Sequence, residues 1–274
     1  MPPIQPQPPG RIEPPPAAPL ILAPAGTKPA FLAALAAGAD AIYCGLKSFS
    51  ARMEAKNFSI EELRGLVELA RRKGTRVYVT LNTLLKPDEL DAAGRLLDQL
   101  ERQVRPDAVI VQDLGVAALA RRQFPSLALH ASTQMAVHNV AGLRLLRELG
   151  FQRAILAREL ALDEIRVLRE AQTGVELEVF VHGALCYSVS GLCLASWALT
   201  GRSGNRGDCA QVCRSLFRVD EGQEDAGTRR PEEGHFVSCG DPYVGNEGVR
   251  LIGAGVGSFK IEGRMQSPEY VYNT

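Results

Sequence analysis

Four of the six cysteines fall in one short stretch that follows an apolar run: Cys186, Cys193, Cys209 and Cys213. Thiolates are strong ligands of zinc and of iron–sulfur clusters, so this group favours a metal centre over a set of buried small apolar side chains. The spacing Cys-x6-Cys-x15-Cys-x3-Cys fits neither a paired zinc ribbon nor a common ferredoxin run, and a [4Fe–4S] cluster and zinc stay open as alternatives. Cys239 is a candidate substitute ligand, whereas Cys44 lies inside an apolar run and is expected in the core.

Polar side chains at the ends of apolar runs form a second group with chemical potential. The candidates for substrate binding are Asn82, His130, Gln134 and Arg158. Glu178 and His182 precede the first cysteine and are candidates for proton transfer. Each of them singly is also consistent with an exposed position or a structural hydrogen bond, but as a set they predict one polar edge.

The segment SFKIEGR adds three charged residues near the end of the chain. Lys260 and Glu262 share one face of a strand because side chains alternate with a period of two, which predicts an inward ion pair and a role in proton transfer. Arg264 follows as a candidate for bidentate binding of a carboxylate or phosphate. Arg206, in the glycine-rich and basic GRSGNRGD, is a further candidate for an anion.

The elements that must position these residues are strands alternating with amphipathic helices from Leu20 onward. The predicted strands cover 20–25, 40–46, 76–82, 107–113, 127–132, 153–158, 176–183 and 258–263. Helix signals lie between them: Ser59 with Glu62 predicts a capping box, Thr27 and Gly38 bracket an alanine-rich helix, and Asp88 is expected to open another. Eight such units predict a (β/α)8 barrel, and the polar strand ends would then meet at its C-terminal face.

One interval breaks this alternation and divides the predicted domain. An insertion at about 184–250, between the seventh and eighth strands, holds the cysteines and a charged, glycine-rich loop. We expect residues 19–274 to form one domain, preceded by a disordered proline-rich arm at 1–18. Since the sequence ends soon after the last strand, the expectation is a C-terminally truncated protein, or one that needs a partner subunit or a second copy.

Bulk composition excludes several classes of protein. Lys plus Arg and Asp plus Glu are equal at 31 each, so no net field draws the chain to nucleic acid. No apolar run reaches the roughly 20 residues of a membrane span, and the first residues lack the pattern of a secretory signal. A cytoplasmic location is therefore expected, where clustered cysteines are ligands or catalysts more often than disulfides.

These motifs resemble peptidase family U32, first described as collagenase-like peptidases. The likeness extends from residue 20 to the end and is carried by LAPAG, GADAIYCG, HASTQM, EVFVHGALCYSVSGLC, GRSGNRGDCAQVCR and SFKIEGRMQSPEYV. The segment VSCGDPYVGNEG departs from the family's usual pattern before the last strand. The members most similar to this sequence are RNA hydroxylation proteins.

The resemblance implies a [4Fe–4S] cluster on the four cysteines named first, and hydroxylation of a pyrimidine in tRNA (the wobble uridine, with prephenate) or in 23S rRNA. For such a reaction Arg158, Arg206 and Arg264 are candidates for binding a dicarboxylate such as prephenate or an RNA phosphate, because the guanidinium group matches the geometry of both anions. Two alternatives stay open. The first is a peptidase with Cys186 as nucleophile and His182 as base, and the second is a non-catalytic subunit that needs a partner.

Overall fold

Eight parallel strands close into a barrel in a computed structural model that describes residues 18–219 and 232–274. In chain order the strands are β1 (Leu20–Ala25), β2 (Ala41–Gly45), β3 (Arg76–Leu81), β4 (Ala108–Val111), β5 (Leu129–Ala131), β6 (Phe151–Ile155), β7 (Glu176–His182), β8 (Phe217–Val219), β9 (Glu232–Gly234) and β10 (Ser258–Ile261). The barrel order is β1-β10-β7-β6-β5-β4-β3-β2, and β8 pairs with β9 in a separate antiparallel ribbon. The predicted (β/α)8 fold is confirmed, with each of the eight predicted strands present.

Helices between the strands cover the outside of the barrel. They are α1 (Lys28–Ala36), α2 (Ile60–Arg72), α3 (Leu90–Gln99), α4 (Leu114–Gln123), α5 (Val140–Glu148), α6 (Leu162–Glu170), α7 (Ala195–Thr200), α8 (Gly248–Gly253) and α9 (Pro268–Asn273). None of the helices in the described part of the chain has the length and apolar character that a membrane span requires.

The local signals at the helix ends act largely as predicted. Ser59 and Glu62 form the capping box of α2, since each side chain accepts the other's backbone N–H at 3.1 and 2.9 Å. Gly74 ends that helix with φ of +75°, a conformation that costs glycine little. The prediction that Asp88 opens a helix is wrong: Glu89 accepts the N–H of Lys86 at 2.7 Å, and a 3-10 turn precedes α3.

Two layers of side chains surround the strands. The outer layer packs the apolar helix faces against the barrel, and the predicted face of α2 is buried there: Leu63, Leu66, Val67 and Ala70. The inner layer is small and unusual, because aromatic side chains such as Tyr43 and Tyr78 lie beside buried charges. Those charges, among them Glu178 and Lys260, form part of the floor of the site.

The insertion between β7 and β10 is confirmed, and it begins where β7 ends. It carries α7, the β8–β9 ribbon and α8. The predicted proline-rich arm lies outside the described residues except for Ala18, and so does most of the charged loop, at 220–231. The predicted domain limits stay a prediction.

Candidate active site

A cavity of about 300 Å³ opens at the C-terminal ends of the barrel strands, beneath the insertion. This is the face on which barrel enzymes build active sites, and the volume is at the lower end for small-ligand pockets. The predicted site residues that line it are Asn82, Gln134, Arg158, Lys260, Glu262, Arg264, Cys186, Cys193, Cys209 and Cys213. The fold therefore brings most of the predicted set together.

The four clustered cysteines reach this cavity from three parts of the insertion. Backbone N–H groups donate to sulfur twice, from Ala195 to Cys193 at 3.3 Å and from Gln211 to Cys209 at 3.4 Å. The Cys186 sulfur lies 3.1 Å from a serine hydroxyl. Donors around sulfur stabilise thiolates and are typical of the surroundings of iron–sulfur clusters.

Three of these thiols are close enough to influence one another. Burial raises the pKa of Cys213, and the charges of Cys186 and Cys209 raise it further. A donor set of four sulfurs around one cavity fits a thiolate-ligated centre. Within the described residues, however, no three His, Cys, Asp or Glu side chains stand close enough together to hold a metal ion as they are placed. Metal binding by the cysteines stays a prediction.

The other two cysteines lie apart from this group. Cys44 is completely buried in β2, as expected, and burial raises the pKa of its thiol to about 12. Cys239 does not line the cavity, and its carbonyl accepts a hydrogen bond from Arg214 at 2.7 Å. Nothing in the placement of Cys239 supports it as a substitute ligand.

Two arginines bring positive charge to the cavity wall. Arg264 is buried, and its Nη1 donates to Ser50 at 2.6 Å and to Thr80 at 3.1 Å, while its Nε has no hydrogen-bond partner among the described residues. Arg158 stacks over the Phe180 ring at 4.9 Å, and its buried Nε also has no described partner. Buried donors normally have partners, so these free N–H groups are suited to an anionic ligand.

The predicted ion pair between Lys260 and Glu262 does not form. Lys260 points down the barrel, 3.3 Å from Glu178, and its ammonium lies 4.1 Å from the centre of the Tyr43 ring. Glu262 instead pairs with Arg52 at 3.2 Å. The two side chains share a face as predicted, but each has a nearer partner of opposite charge on another strand or loop.

Burial and charge set the protonation states of this pair. Burial lowers the pKa of Lys260, although Glu178 opposes the change. Burial acts to raise the pKa of Glu262, but the guanidinium groups of Arg52 and Arg264 outweigh it, and the pKa lies below its usual range. Glu262 is therefore ionised and suited to accept hydrogen bonds, and the lowered pKa makes it a weaker base than an ordinary glutamate and unsuited to act as an acid.

Sequence reasoning missed Tyr43 and Arg52. The Tyr43 hydroxyl donates to the Ile261 carbonyl at 2.9 Å and to Glu262 at 3.1 Å. Burial, and to a smaller extent the negative charge of Glu262, keep the pKa of Tyr43 well above its ordinary value. Arg52 lies in the loop after β2. Tyr43 falls in GADAIYCG, but only barrel closure, which brings β2 and β10 to either side of β1, reveals its contact with Glu262.

Two predicted residues lie below the cavity, inside the barrel. Glu178 is fully buried and bonded to Arg153 at 3.2 Å and to Ser258 at 3.0 Å. His130 lies edge-on to Tyr78 with ring centres 4.7 Å apart, and burial lowers its pKa well below the ordinary value. Neither lines the cavity, so the structure places both as supports of its floor.

The remaining two predicted site residues, His182 and Arg206, lie beside the cavity and do not line it. His182 sits between the rings of Tyr243 and Tyr270, and its Nδ1 has no hydrogen-bond partner among the described residues. In particular, it makes no hydrogen bond to Cys186 there. Arg206 forms a two-pronged pair with Glu89 at 2.7 and 2.9 Å and so ties the insertion to the loop after β3.

Comparison with known proteins finds one matching family model and several similar sequences. The family model "Peptidase family U32" matches residues 26–274. The chain is 46% identical over 237 residues to a 23S rRNA 5-hydroxycytidine synthase of Escherichia coli K12, a match that covers 86% of the chain and 35% of the relative. It is 34% identical to tRNA hydroxylation protein P of the same organism (92% of the chain, 55% of the relative) and 34% identical to a collagenase of Porphyromonas gingivalis W83 (92% and 62%).

The chain spans only about a third to three fifths of the length of these relatives. Among solved structures, that of the U32 peptidase Mk0906 matches with a TM-score of 0.56 at 15% identity, and the match covers 95% of the chain and 98% of that structure. At this identity the likeness supports the fold.

Proposed function

Because the chain belongs to peptidase family U32, we propose that it acts in RNA modification, as an iron–sulfur protein that hydroxylates a pyrimidine of tRNA or 23S rRNA. The observation that carries the proposal is the gathering of four cysteine sulfurs and two incompletely paired guanidinium groups around one cavity. The relatives named as RNA hydroxylation proteins give the reaction class.

The cysteines at 186, 193, 209 and 213 would hold the cluster, which would supply electron transfer or Lewis-acid chemistry when bound. Zinc is the alternative occupant of the same four sulfurs. The N–H groups of Ala195 and Gln211 would stabilise the ligating thiolates.

Arg158 and Arg264 would bind the carboxylates of a co-substrate such as prephenate, since both residues line the cavity and the Nε of each has no described hydrogen-bond partner. Asn82 donates to Gln134 at 3.2 Å, and both amides would orient the pyrimidine or the co-substrate. The Glu262 carboxylate is placed to accept a proton from the substrate, with Arg52 and Tyr43 holding its orientation. Lys260 would contribute positive charge, or a proton, from the floor.

The peptidase alternative requires a cysteine activated by a base. The described residues contain no hydrogen bond between Cys186 and His182, and the His182 imidazole, which contacts the rings of Tyr243 and Tyr270, is not part of the cavity lining. A peptidase would therefore need a different nucleophile–base pair. The need for a partner subunit or a homo-oligomer stays a prediction, which size-exclusion chromatography of the purified chain would check.

The test is nucleoside mass spectrometry of tRNA and rRNA from a strain that lacks the gene, complemented with the wild-type chain or with single Cys→Ser variants. We expect one hydroxylated pyrimidine to disappear in the deletion strain. Each of the four cluster-cysteine variants should fail to restore it. Cys44→Ala and Cys239→Ser serve as matched controls and should restore it.

Anaerobic purification adds a readout that does not depend on activity. The wild-type chain should be brown and contain iron and sulfide, and each of the four variants should lose colour. A colourless protein with stoichiometric zinc would refute the iron–sulfur assignment. Loss of function at one cysteine alone would instead support a nucleophilic enzyme.

A further inference from the structure

One lysine of the chain is buried, and it belongs to the cavity lining. Lys260 is 4% exposed, whereas the lysines at positions 28, 47, 56, 73 and 86 are all exposed. Its amine nitrogen lies 4.1 Å from the centre of the Tyr43 ring and 5.5 Å from the centre of the Phe180 ring. Both rings also line the cavity, so the amine lies against aromatic surface at the cavity floor.

A buried carboxylate holds this amine in place. Glu178 Oε1 lies 3.3 Å from the Lys260 nitrogen, while Oε2 of the same carboxylate accepts hydrogen bonds from Arg153 at 3.2 Å and from Ser258 at 3.0 Å. Burial lowers the pKa of Lys260 although Glu178 acts in the opposite direction, so more of this amine is neutral at a given pH than for an exposed lysine. A neutral lysine amine in an apolar setting is a nucleophile toward carbonyl carbon.

Two guanidinium groups lie on the same two rings as the amine. The Arg158 Cζ is 4.9 Å from the centre of the Phe180 ring, and the Arg264 Cζ is 5.9 Å from the centre of the Tyr43 ring. The buried Nε of each arginine has no hydrogen-bond partner among the described residues. A ligand that matches this arrangement carries a carboxylate for a guanidinium group and a carbonyl carbon for the amine. In a 2-oxo acid these two groups are directly bonded.

We propose that Lys260 forms a Schiff base with a 2-oxo acid whose carboxylate pairs with Arg158 or Arg264. The identification of this acid with a co-substrate such as prephenate, itself a 2-oxo acid, rests on the proposed function, whereas the reactivity of the amine does not. The lysine nitrogen bonds to the carbonyl carbon, and the bond from that carbon to oxygen breaks. Two protons of the ammonium leave with the oxygen as water, and the third stays on the imine nitrogen. The step exchanges no electrons with another reagent, and the protonated imine keeps the positive charge that pairs with Glu178.

Reductive trapping on the anaerobically purified full chain tests the inference. Pyruvate and prephenate are the probes, and sodium cyanoborohydride converts an imine into a stable secondary amine that peptide mass spectrometry locates. We expect the adduct on Lys260, even though every other lysine of the chain is more accessible to solvent. Lactate, which carries a hydroxyl in place of the carbonyl of pyruvate, should leave no adduct.

Matched variants separate the roles of the amine and of the guanidinium groups. Lys260→Arg keeps the positive charge and removes the nucleophilic amine, so it should abolish the adduct, and Lys73→Arg at the exposed end of α2 should leave the yield unchanged. At least one of Arg158→Gln and Arg264→Gln should raise the pyruvate concentration for half-maximal trapping roughly 10-fold, as for the loss of one charged hydrogen bond. Arg64→Gln, on the exposed face of α2, should not change it.

The outcomes distinguish the inference from the proposed function. An adduct confined to Lys260 in the wild-type chain supports the Schiff base even where a variant fails to fold. Absence of that adduct with both acids, or equal labelling of the exposed lysines, overturns the inference, and intact nucleoside hydroxylation would then leave the proposed function standing. An unaltered nucleoside profile in the deletion strain, together with the Lys260 adduct, would remove the proposed function and keep the lysine as a carbonyl-binding site.

Discussion

The floor of the cavity depends on one carboxylate that carries no exposed surface. Glu178 lies between Lys260 at 3.3 Å and Arg153 at 3.2 Å, inside the barrel. Glu178→Gln keeps the shape and removes the charge. Arg153 retains Glu176 at 2.6 Å, but Lys260 loses the only carboxylate within ion-pair distance among the described residues.

Breaking a buried pair by removing one partner costs about 3–5 kcal/mol, because it leaves an uncompensated buried charge. For a domain of this size the melting temperature should fall by roughly 10 °C. Deprotonation of Lys260 limits the cost. Without Glu178 the pKa of Lys260 falls further below its unfolded value of about 10.4, so the deficit relative to wild type should shrink as pH rises toward that value.

Equilibrium urea denaturation at two pH values measures both effects. Glu247→Gln is the matched control, since Glu247 forms an exposed pair with Arg250 and its loss should cost roughly 1 kcal/mol or less. The double variant Glu178→Gln with Lys260→Met should recover part of the loss, because no buried ammonium is then left unpaired. A cost under about 1 kcal/mol for Glu178→Gln, or strict additivity in the double variant, would refute the reasoning.

Three further predictions concern groups with shifted pKa values. Burial, which raises the Cys44 pKa to about 12, should protect that thiol from iodoacetamide until the protein unfolds, as peptide mass spectrometry would show; rapid native labelling would contradict this. The hydrogen bonds from Arg206 lower the Glu89 pKa to about 2. The stabilisation by this pair is therefore fully present above the ordinary glutamate pKa and is lost as pH falls toward about 2. In an NMR titration Arg206→Ala should return the Glu89 pKa toward its ordinary value, and an unchanged pKa would count against the pair. Burial lowers the His130 pKa, so below about pH 6.5 the unfolded chain binds a proton at His130 that the folded chain does not bind. The free energy of unfolding should therefore decline as pH drops below about 6.5. His130→Phe should make this decline less steep in urea denaturation.

Local patterns in the sequence determined the elements of this protein. Apolar runs and helix caps act over a few residues, which is why the strands and the capping box at Ser59 could be predicted from the chain alone. Parallel strands that alternate with helices close with all C-terminal ends on one side, and this rule also placed the cysteines after β7 at the barrel mouth.

Only the tertiary structure decided the depth and the partners of each charged side chain. Alternation along a strand gives the face of a residue, but its height in the barrel depends on the registers of all eight strands, and these shift at Leu129/His130 and at Lys260/Ile261. Glu178 is the third of the seven residues of β7 and His130 is the middle residue of β5, so both lie in the interior, below the strand ends that form the mouth. Glu262 finds Arg52, 210 residues away in sequence, because only closure of the barrel brings the loop after β2 to the end of β10.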